Sequence, residues 1–428
     1  MTLPRPSFTA SQALGAVLLT GYVLMLALNL PGHLSYDSLA QLHEGRMQVR
    51  ETWGPALYAW ILGAFDSISP GTGLYVAASG FLVTGSLLSF RQLRRQVSWA
   101  AVGLGALMVL TPTLLIYQGV VWKDVLFANL ALAGFACLAQ AARVWDAPRR
   151  PWWALAGALL AFAAAAQVRQ NGLVAPFFGA LALAWIAYGR GWRSSLAWGL
   201  GGFVATLAVS MAMGALSQPA QAGPDQAGSR EVRIVAHYDI IGAVAVQPTL
   251  PLDVIRAHDP VAEQQIRHRA TALYTPERVD YLGQDDQIGA ALWGLPNEVV
   301  FAQWGAILTK HPTAYIEHRW DVFRWVFATP KIDSRLPVYV GVSTPLFSHV
   351  FFALVALASA GVLLWRREAA DIVIAGMLLS ALAFAASFAL ISIACDYRYL
   401  YYLDLAALAG LLYLAMDPPY GRLRRRLR

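Results

Sequence analysis

The chain has 428 residues, of which 57% are hydrophobic and only 13% are charged, and its formal net charge at pH 7 is +7. An ordinary soluble protein contains about 25% charged residues, so this composition excludes a water-soluble globule of this size. Continuous Leu- and Ala-rich runs also exclude a transmembrane β-barrel, whose strands alternate apolar and polar residues. Two cysteines cannot form a disulfide framework, and the sequence contains no nucleic-acid-binding motif.

Ten apolar stretches follow one another along the chain, each of about 17–22 residues and long enough to cross a hydrocarbon core of about 30 Å as a helix. They predict spans at Gly15–Leu30, Gly73–Phe90, Ala100–Tyr117, Val125–Ala142, Trp153–Gln167, Leu173–Tyr188, Leu196–Leu216, Phe347–Trp365, Ile372–Ile393 and Tyr397–Ala415. The predicted fold class is an all-α membrane protein with about ten transmembrane helices, an amphipathic outer first loop and one mainly helical periplasmic domain.

The long polar segment between the seventh and eighth predicted spans divides the chain into three parts. Residues 1–216 are predicted to form a transmembrane module that includes a first outer loop at residues 31–72. Residues 217–346 are predicted to form the periplasmic domain. Residues 347–428 are predicted to form a C-terminal transmembrane module with a basic cytoplasmic tail.

Helical patterns occur within the polar segment at Glu298–Leu308 and Pro312–Phe327. In the second pattern, Tyr315, Trp320 and Phe323 mark an apolar side. Such a side is typical of a helix that lies on the bilayer surface, and equally of one that packs on the core of a domain.

Lysine and arginine residues in short loops favour the cytoplasmic side of a membrane. With ten spans and the N-terminus inside, sixteen basic residues fall in the cytoplasm. Five fall in the short loops opposite, at Arg46, Arg50, Lys123, Arg169 and Arg398. This distribution predicts a multi-pass protein of the bacterial inner membrane with both termini cytoplasmic. It also requires the short apolar segment Trp53–Asp66 to lie along the outer surface without crossing.

Ionisable residues at the predicted membrane boundary cluster toward the outer side. They are Asp37, Glu44, Lys123, Asp124, Arg169, Asp396, Arg398 and Asp404. A charge at this depth carries a desolvation cost, so such residues usually face a cavity and there pair, bind or react. The sequence therefore predicts a polar site that opens to the periplasm.

Asp37 follows the first span behind Pro31 and Gly32, which end the helix. One interpretation makes Asp37 or Ser35 the N-cap of the next helix. The other makes Asp37 a general base, since a partly buried carboxylate within reach of a hydroxyl can accept its proton.

Lys123 and Asp124 stand side by side at the start of the fourth span. A lysine ammonium at the positive end of a helix dipole suits a phosphate, while Asp124 could cap the helix or orient Lys123. A self-satisfied interfacial ion pair is the alternative. Arg169 offers a planar fork for a phosphate or carboxylate, against the alternative of an arginine that reaches the interface from a span.

The densest polar sequence is Asp396-Tyr-Arg398-Tyr-Leu-Tyr-Tyr-Leu-Asp404. Its four tyrosines fit an aromatic belt at the membrane interface. Asp404 lies about two turns deeper in an apolar helix and is expected to pair with Lys123, Arg169 or Arg398.

The sequence lacks the motifs of zinc sites and of nucleotide-binding sites. The eight histidines show no HExxH or similar spacing, which disfavours a zinc site. No GxxxxGK[ST] and no strand-bound GxGxxG occurs, which argues against ATP-driven transport and against a nucleotide-sugar domain. Any reaction must therefore draw its energy from an activated lipid or an ion gradient.

The order of these segments resembles the polytopic glycosyltransferases of the GT-C class, the group that includes protein O-mannosyltransferases and the aminoarabinose transferase of lipid A. The resemblance rests on Tyr36-Asp37-Ser38, Trp53-Gly-Pro55-Ala-Leu57-Tyr58, Trp122-Lys123-Asp124, Arg169-Gln-Asn171-Gly172 and Lys310-His311-Pro312-x-x-Tyr315. Two segments depart from the pattern: many relatives have an acidic pair at Asp37-Ser38, and His-Pro-Pro at Trp53-Gly-Pro55.

The resemblance implies transfer of a sugar from a polyprenyl-phosphate-linked donor to a glycan, lipid or protein acceptor on the periplasmic face. It implies that Asp37 is the catalytic base and that Lys123, Arg169 and Arg398 bind the donor phosphate. Supporting roles are expected for Asp124, Asn171, Asp396, Asp404, Trp53 and Tyr58. No cofactor is indicated with certainty, and a divalent cation stays possible.

Two rival classes share some of these features. A lipid or ion transporter would also place ionisable residues in its spans, although it should place them near the midplane and in both halves. A glycan ligase or polymerase that uses a pyrophosphate-linked lipid donor would share the outer location and the basic residues, but it needs no aspartate in the first loop.

Overall fold

The computed structural model describes residues 9–52, 54–147, 151–219, 227–328 and 347–418. Within these ranges the regular secondary structure is helical, apart from two isolated β-bridges, His33 with Val120 and Arg278 with Ala394. Contacts divide the chain into two compact units. The first comprises Met1–Ala222, Phe351–Phe384 and Tyr401–Arg428, and the second comprises Gly223–Val350 and Ala385–Leu400.

The N-terminal part of the first unit contains ten α-helices. They are α1 (Ala10–Asn29), α2 (Tyr36–Met47), α3 (Ala56–Ile68), α4 (Gly73–Phe90), α5 (Trp99–Met108), α6 (Pro112–Leu115), α7 (Lys123–Arg143), α8 (Trp152–Val168), α9 (Val174–Ala187) and α10 (Trp192–Ser217).

Ten more helices complete the described chain. They are α11 (Ala227–Val246), α12 (Asp253–His258), α13 (Pro260–Gln265), α14 (Thr271–Leu273), α15 (Asp286–Gly294), α16 (Asn297–Lys310), α17 (Pro312–Ala328), α18 (His349–Arg366), α19 (Ala369–Ile391) and α20 (Tyr401–Met416). Contacts group residues 385–400 with the second unit, whereas the predicted division assigns them to the C-terminal membrane module.

Seven helices of the described chain are long and apolar enough to cross a membrane, and an eighth span results if a bent pair counts as one. The protein is thus a multi-pass membrane protein. The bent pair joins Trp99–Met108 to Pro112–Gly119 at 67°. Pro112 begins α6 and lacks a backbone N–H, so the helical hydrogen-bond ladder is interrupted there.

The remaining predicted spans correspond to shorter apolar helices, Trp152–Val168 and Val174–Arg190, so the count of ten spans stays a prediction. The segment expected not to cross contains α3, which has 13 residues. At 1.5 Å per residue a helix of that length reaches only about 20 Å. The placement of α3 along the outer surface, outside the hydrocarbon core, stays a prediction.

Helix α7 lies at the centre of the first unit. Most of its residues are buried, and it packs against α4, α8 and α20. The ring of Phe162 on α8 fits between two glycines, because a Cβ at Gly134 or at Gly179 would lie 2.7 Å from it. The ring of Phe135 meets Phe162 edge to face at 4.9 Å. This close packing brings the N-terminal end of α7 next to the C-terminal end of α8.

Helices α2 and α3 cross at two glycines in the first predicted outer loop. A Cβ at Gly45 would overlap the carbonyl oxygen of Ala59, and one at Gly63 would overlap that of Gly45. The guanidinium of Arg46 binds Asp66 through two hydrogen bonds of 2.6 and 2.8 Å. These contacts fix the first loop as a compact helical hairpin.

A buried ion network occupies another part of the first unit. Asp371, which is fully buried, accepts hydrogen bonds from Arg94, from Arg366 Nε at 3.0 Å and from Tyr413 Oη at 3.0 Å. Arg94 also binds Glu368 at 2.5 Å. The network joins the segment after α4 to α18, α19 and α20.

The second unit has its own apolar core. Helix α11 packs against α16 and α17, and fully buried residues of this core include Ile241, Leu250, Val300 and Val322. The predicted helical patterns Glu298–Leu308 and Pro312–Phe327 correspond to α16 and α17.

Candidate active site

Asp37 lies in the first turn of α2 and is half-buried. The N-cap of this helix is Ser35, whose hydroxyl accepts the backbone N–H of Ser38 at 3.5 Å while the Ser38 hydroxyl accepts the N–H of Ser35 at 2.9 Å. Of the two capping alternatives, Ser35 is confirmed and Asp37 is wrong. The Asp37 carboxylate is therefore not required to begin the helix.

The segment before α2 pairs with the segment before α7. The N–H of His33 donates to the carbonyl of Gly119 at 2.9 Å, and the N–H of Val121 donates to the carbonyl of His33 at 3.0 Å. The indole Nε1–H of Trp122 then donates to the Ser35 hydroxyl at 2.9 Å. Three hydrogen bonds thus bring together the starts of the two helices that carry Asp37 and Lys123.

A reciprocal amide pair fixes the segment before Lys123. The side chains of Gln118 and Asn129 exchange hydrogen bonds of 2.9 and 2.8 Å, and both are buried. Asn129 also donates to the backbone carbonyl and hydroxyl of Ser79 on α4. Gln118 donates to the hydroxyl of Tyr401 at 2.6 Å, which donates onward to the carbonyl of Thr113 at 2.8 Å. Each of these buried side chains has a hydrogen-bond partner, so the network fixes the conformation of the segment before Lys123.

Asp124 and Arg169 form a buried ion pair. Arg169 Nη1 lies 2.6 Å from Asp124 Oδ1, and the two side chains are only 7% and 3% exposed. Asp124 belongs to the first turn of α7, and Arg169 is the C-cap of α8. The N-cap of α7 is Trp122, so the prediction that Asp124 caps this helix is wrong. The orientation of Lys123 by Asp124 stays a prediction, and the observed partner of Asp124 is Arg169. This partner was not predicted.

Lys123 is the first residue of α7 and is half-buried. Its ammonium group and the first N–H groups of α7 belong to the same helix end, where the helix dipole favours an anion.

Asn171 lies in the tight turn after Arg169, in which the N–H of Gly172 donates to the carbonyl of Arg169 at 3.0 Å. A Cβ at Gly172 would overlap the carbonyl of Ala165, so only glycine fits this turn.

Other predicted residues of the first unit lie in its interior. Asp404 is fully buried in the first turn of α20. Tyr58 is also fully buried; its ring meets that of Tyr75 edge to face, with the two hydroxyls 3.4 Å apart. It therefore packs α3 against α4. Trp53 lies outside the described residues.

Asp396 and Arg398 lie in the second unit, in the turn after α19. Asp396 binds two arginines, Arg398 at 3.2 Å and Arg278 at 3.1 Å. Arg278 was not predicted, because a lone arginine in a polar segment carries no signal.

The aromatic-belt interpretation is wrong for Tyr401 and Tyr402, which are fully buried and hydrogen-bonded.

The second unit also contains a buried charged cluster that sequence reasoning missed. Asp239 is fully buried and accepts hydrogen bonds from His318 Nε2 at 3.0 Å and from Trp304 Nε1 at 2.8 Å. It also forms an ion pair with Arg319, whose Nη2 lies 2.6 Å from Asp239 Oδ1. Burial lowers the pKa of His318, so the imidazole is neutral and its Nδ1 accepts the hydroxyl of Tyr274 at 2.7 Å. These residues are ionisable members of a polar segment, where burial cannot be inferred from composition.

The possible divalent cation has no evident set of ligands. Among the described residues, no three His, Cys, Asp or Glu side chains come together in a way that could hold a metal ion. The Asp285 carboxylate caps α15 and binds Arg269 at 2.5 Å.

No family model matches the chain, and none of the curated proteins matches its sequence. Two solved structures are similar to it. Archaeal oligosaccharyltransferase AglB from Archaeoglobus fulgidus, in complex with an inhibitory peptide and a dolichol-phosphate, aligns with 96% of this chain and 51% of its own at 13% identity, with a TM-score of 0.42. The crystal structure of the Archaeoglobus fulgidus oligosaccharyltransferase in complex with Zn and sulfate aligns with 96% of this chain and 50% of its own at 14% identity, with a TM-score of 0.44. The chain spans about half the length of these solved chains, and a likeness at this level assigns neither a family nor an activity.

Proposed function

We propose that this chain is an integral membrane glycosyltransferase that moves a sugar from a polyprenyl-phosphate-linked donor to an acceptor hydroxyl on the periplasmic face. The observation that carries the proposal is the hydrogen bond from Trp122 to Ser35. It joins the helix that begins beside Asp37 to the helix that begins at Lys123. A half-buried carboxylate and a half-buried ammonium at adjoining helix starts are the base and the anion-binding group that such a transfer requires.

The proposed reaction is a single displacement at the anomeric carbon. The Asp37 carboxylate accepts the proton of the acceptor hydroxyl, whose oxygen forms the new bond to the anomeric carbon. The bond from that carbon to the phosphate oxygen breaks, and its electron pair leaves with the polyprenyl phosphate. One displacement inverts the anomeric centre. Negative charge grows on the departing phosphate, so a fixed cation such as Lys123 stabilises the transition state more than the bound donor.

Arg169 is proposed to bind the same phosphate while Asp124 holds its guanidinium beside the start of α7. A buried arginine is positioned more sharply when a carboxylate takes one edge of its planar fork. Arg398 is proposed to bind lipid phosphate, with Asp396 in a supporting role within the same unit. Asn171 and Asp404 are assigned supporting roles in the first unit. The cellular location proposed with this reaction is the bacterial inner membrane, with both chain termini in the cytoplasm.

The direct test uses the purified protein in lipid nanodiscs with a panel of polyprenyl-phosphate-linked sugars and candidate acceptors. Mass spectrometry should detect free polyprenyl phosphate and glycosylated acceptor in equal amounts. The Asp37→Asn variant should lose this transfer and keep its thermal unfolding temperature. Glu51→Gln is the matched control, because Glu51 is an exposed carboxylate of the same loop and should leave turnover unchanged.

Other outcomes identify the rival classes. Consumption of only pyrophosphate-linked glycans would indicate a ligase or polymerase. Movement of an intact lipid or ion across the membrane of a sealed vesicle, without cleavage of any donor, would indicate a transporter. Full turnover of folded Asp37→Asn would remove Asp37 as the base. Turnover that stops in EDTA and returns with Mg²⁺ or Mn²⁺ would add a divalent cation to the mechanism.

A further inference from the structure

The segment Ser392–Arg398 follows α19 in the second unit and ends at the proposed phosphate ligand Arg398. Its last two residues begin a 3-10 helix, Tyr397–Leu400, and the five residues before them belong to no helix. The conformation of those five residues depends on contacts with the rest of the second unit. Ser392 is buried, and its hydroxyl donates to the carbonyl of Ala394 at 2.8 Å within the segment. We call this segment the 392–398 turn.

One side of the 392–398 turn is bound by Arg319. Nη1 of Arg319 donates to the carbonyl oxygen of Ser392 at 2.7 Å, and Arg319 is 4% exposed. That carbonyl belongs to the first residue after α19, where the helix leaves carbonyl groups without intrahelical partners. A cation at this end also complements the helix dipole. Arg319 therefore determines the direction in which the chain leaves α19.

Arg319 is itself held by Asp239. Its other terminal nitrogen, Nη2, lies 2.6 Å from Asp239 Oδ1, and Asp239 is fixed in turn by His318 and Trp304. A planar guanidinium that contacts buried groups through both terminal nitrogens, one in an ion pair and one in a hydrogen bond, is restricted in orientation. The contact to Ser392 is thus the end of a buried chain of polar contacts that starts on α11 and α16.

The other side of the turn is bound by the segment around Arg278. The N–H of Val279 donates to the carbonyl of Ile393 at 2.8 Å, and Arg278 Nη2 binds Asp396 at 3.1 Å. The ring of Tyr399 stacks on Phe388 in the last turns of α19, with centroids 5.5 Å apart. The ring of His349 lies 4.3 Å from that of Tyr397 within the turn. Compared with Arg278, whose side chain is 35% exposed, Arg319 is a buried charge that requires a counter-ion.

We propose that the buried Asp239–Arg319 pair is a positioning device that sets the conformation of the 392–398 turn and thereby the affinity of Arg398 for the lipid phosphate. The part that concerns the phosphate rests on the function proposed above; the part that concerns the turn does not. Arg319 is a positioning residue, since it acts on the phosphate only through the backbone that carries Arg398.

The turn contains its own chemical probe, Cys395. This thiol is half-buried, and burial together with Glu277 raises its pKa to about 11. Since the thiolate is the reactive form, Cys395 should react slowly with iodoacetamide in the intact protein. The other cysteine, Cys137, lies in α7 of the first unit and serves as an internal reference. Mass spectrometry of peptides separates the two alkylation rates in one sample.

The first variant is Arg319→Gln, and its matched control is Arg324→Gln. Arg324 lies on the same helix but is exposed and contacts only Asp321, at 3.8 Å, among the ion pairs of the described residues. Arg319→Gln should raise the alkylation rate of Cys395 about tenfold, because a loosened turn exposes the thiol and lowers the cost of ionising it. The rate at Cys137 should not change. Arg324→Gln should change neither rate.

Arg319→Gln leaves the buried Asp239 without its cation, which can prevent folding. The double variant Asp239→Asn/Arg319→Gln removes both charges, so it keeps the network neutral while it loses the two-pronged contact. It should fold and should show the same rise at Cys395. Arg319→Lys keeps the charge without the fork and should give an intermediate rate.

Binding of undecaprenyl phosphate in nanodiscs supplies the second measurement. The double variant and Arg398→Gln should each weaken binding about tenfold, the order expected for loss of one charge-assisted hydrogen bond. An unchanged Cys395 rate in the folded double variant overturns the positioning role, whatever happens to binding. A raised Cys395 rate with unchanged binding in both variants supports the positioning of the turn and removes Arg398 from the proposed phosphate site.

Discussion

The indole nitrogen of Trp122 donates a hydrogen bond to the hydroxyl of Ser35 at 2.9 Å, although 87 residues separate the two in the sequence. Ser35 is the N-cap of α2 and Trp122 is the N-cap of α7. One contact therefore links the starts of two helices, whose first turns contain the proposed base and the proposed phosphate ligand. The predictions below start from this junction and extend to the buried charges that support it.

Trp122→Phe should reduce sugar transfer about tenfold without unfolding the protein, because small errors in the position of a catalytic group are costly. The phenylalanine ring fills most of the indole space but cannot donate to Ser35. Steady-state kinetics in nanodiscs provide the measurement. Ser35→Thr keeps both a capping hydroxyl and an acceptor, so it should retain most of the activity. Equal losses in the two variants would contradict a role for this hydrogen bond.

Asp124→Asn should destabilise the protein by about 3–5 kcal/mol, since it leaves the guanidinium of Arg169 buried without a counter-charge. The double variant Asp124→Asn/Arg169→Gln should lose less stability than Asp124→Asn alone. Thermal unfolding in detergent, followed by fluorescence, compares the four members of this cycle. Strictly additive losses would mean that the two side chains do not stabilise each other.

Asp371→Asn should lower the unfolding temperature by a similar mechanism, because Arg94 and Arg366 both bind this carboxylate. Turnover per folded molecule should remain at the wild-type level, since none of these residues belongs to the proposed site. Glu368→Gln is the control: Glu368 binds Arg94 too, but its side chain is 40% exposed, so its removal should cost less. A selective loss of turnover in folded Asp371→Asn would link this network to catalysis.

Acid should destabilise the second unit through His237. Burial and the neighbouring Arg233 lower the pKa of His237 to about 3, whereas a histidine in an unfolded chain titrates near about 6.5. The unfolded chain therefore binds a proton in this interval and the folded chain does not. The contribution of His237 to the free energy of unfolding is therefore complete above about pH 6.5. It falls by about 1.4 kcal/mol per pH unit as the pH drops toward the pKa of the folded state.

His237→Gln should remove this part of the pH dependence. Chemical unfolding between pH 7 and about pH 4.5 should show a shallower loss of stability in the variant than in the wild type, because one titrating group has been removed. His258→Gln is the control, since His258 is exposed at the end of α12. Parallel pH profiles for all three proteins would show that His237 does not couple to folding.

Much of the helical architecture follows from the sequence, because long apolar runs have few alternatives to helix in a bilayer. The positions of α16 and α17 also follow, since their patterns have helical period. The sharp bend before Pro112 was missed, because the prediction followed the apolar run through Ala100–Tyr117 and gave no weight to the proline within it. The bounds of α8 and α9 lie within one residue of the predicted segments Trp153–Gln167 and Leu173–Tyr188.

The candidate site could be predicted in part. The cost of a charge at the membrane boundary singled out Asp124 and Arg169, and the structure places them 2.6 Å apart. The identity of each partner could not be predicted, since pairing depends on which helix ends adjoin. Gln118 and Asn129 were missed because neutral amides in apolar runs carry a weaker signal than charges. Asp239 was missed because a polar segment hides which of its acids is buried.

The segment before Lys123 is anchored by Gln118, Asn129 and Ser79, which are amide and hydroxyl side chains without an ionisable group in the accessible pH range. Acid or alkali that alters a carboxylate or an ammonium leaves this anchorage intact. A bell-shaped dependence of the turnover rate on acidity would therefore report the protonation of the reacting groups themselves, and not the release of the backbone that presents them.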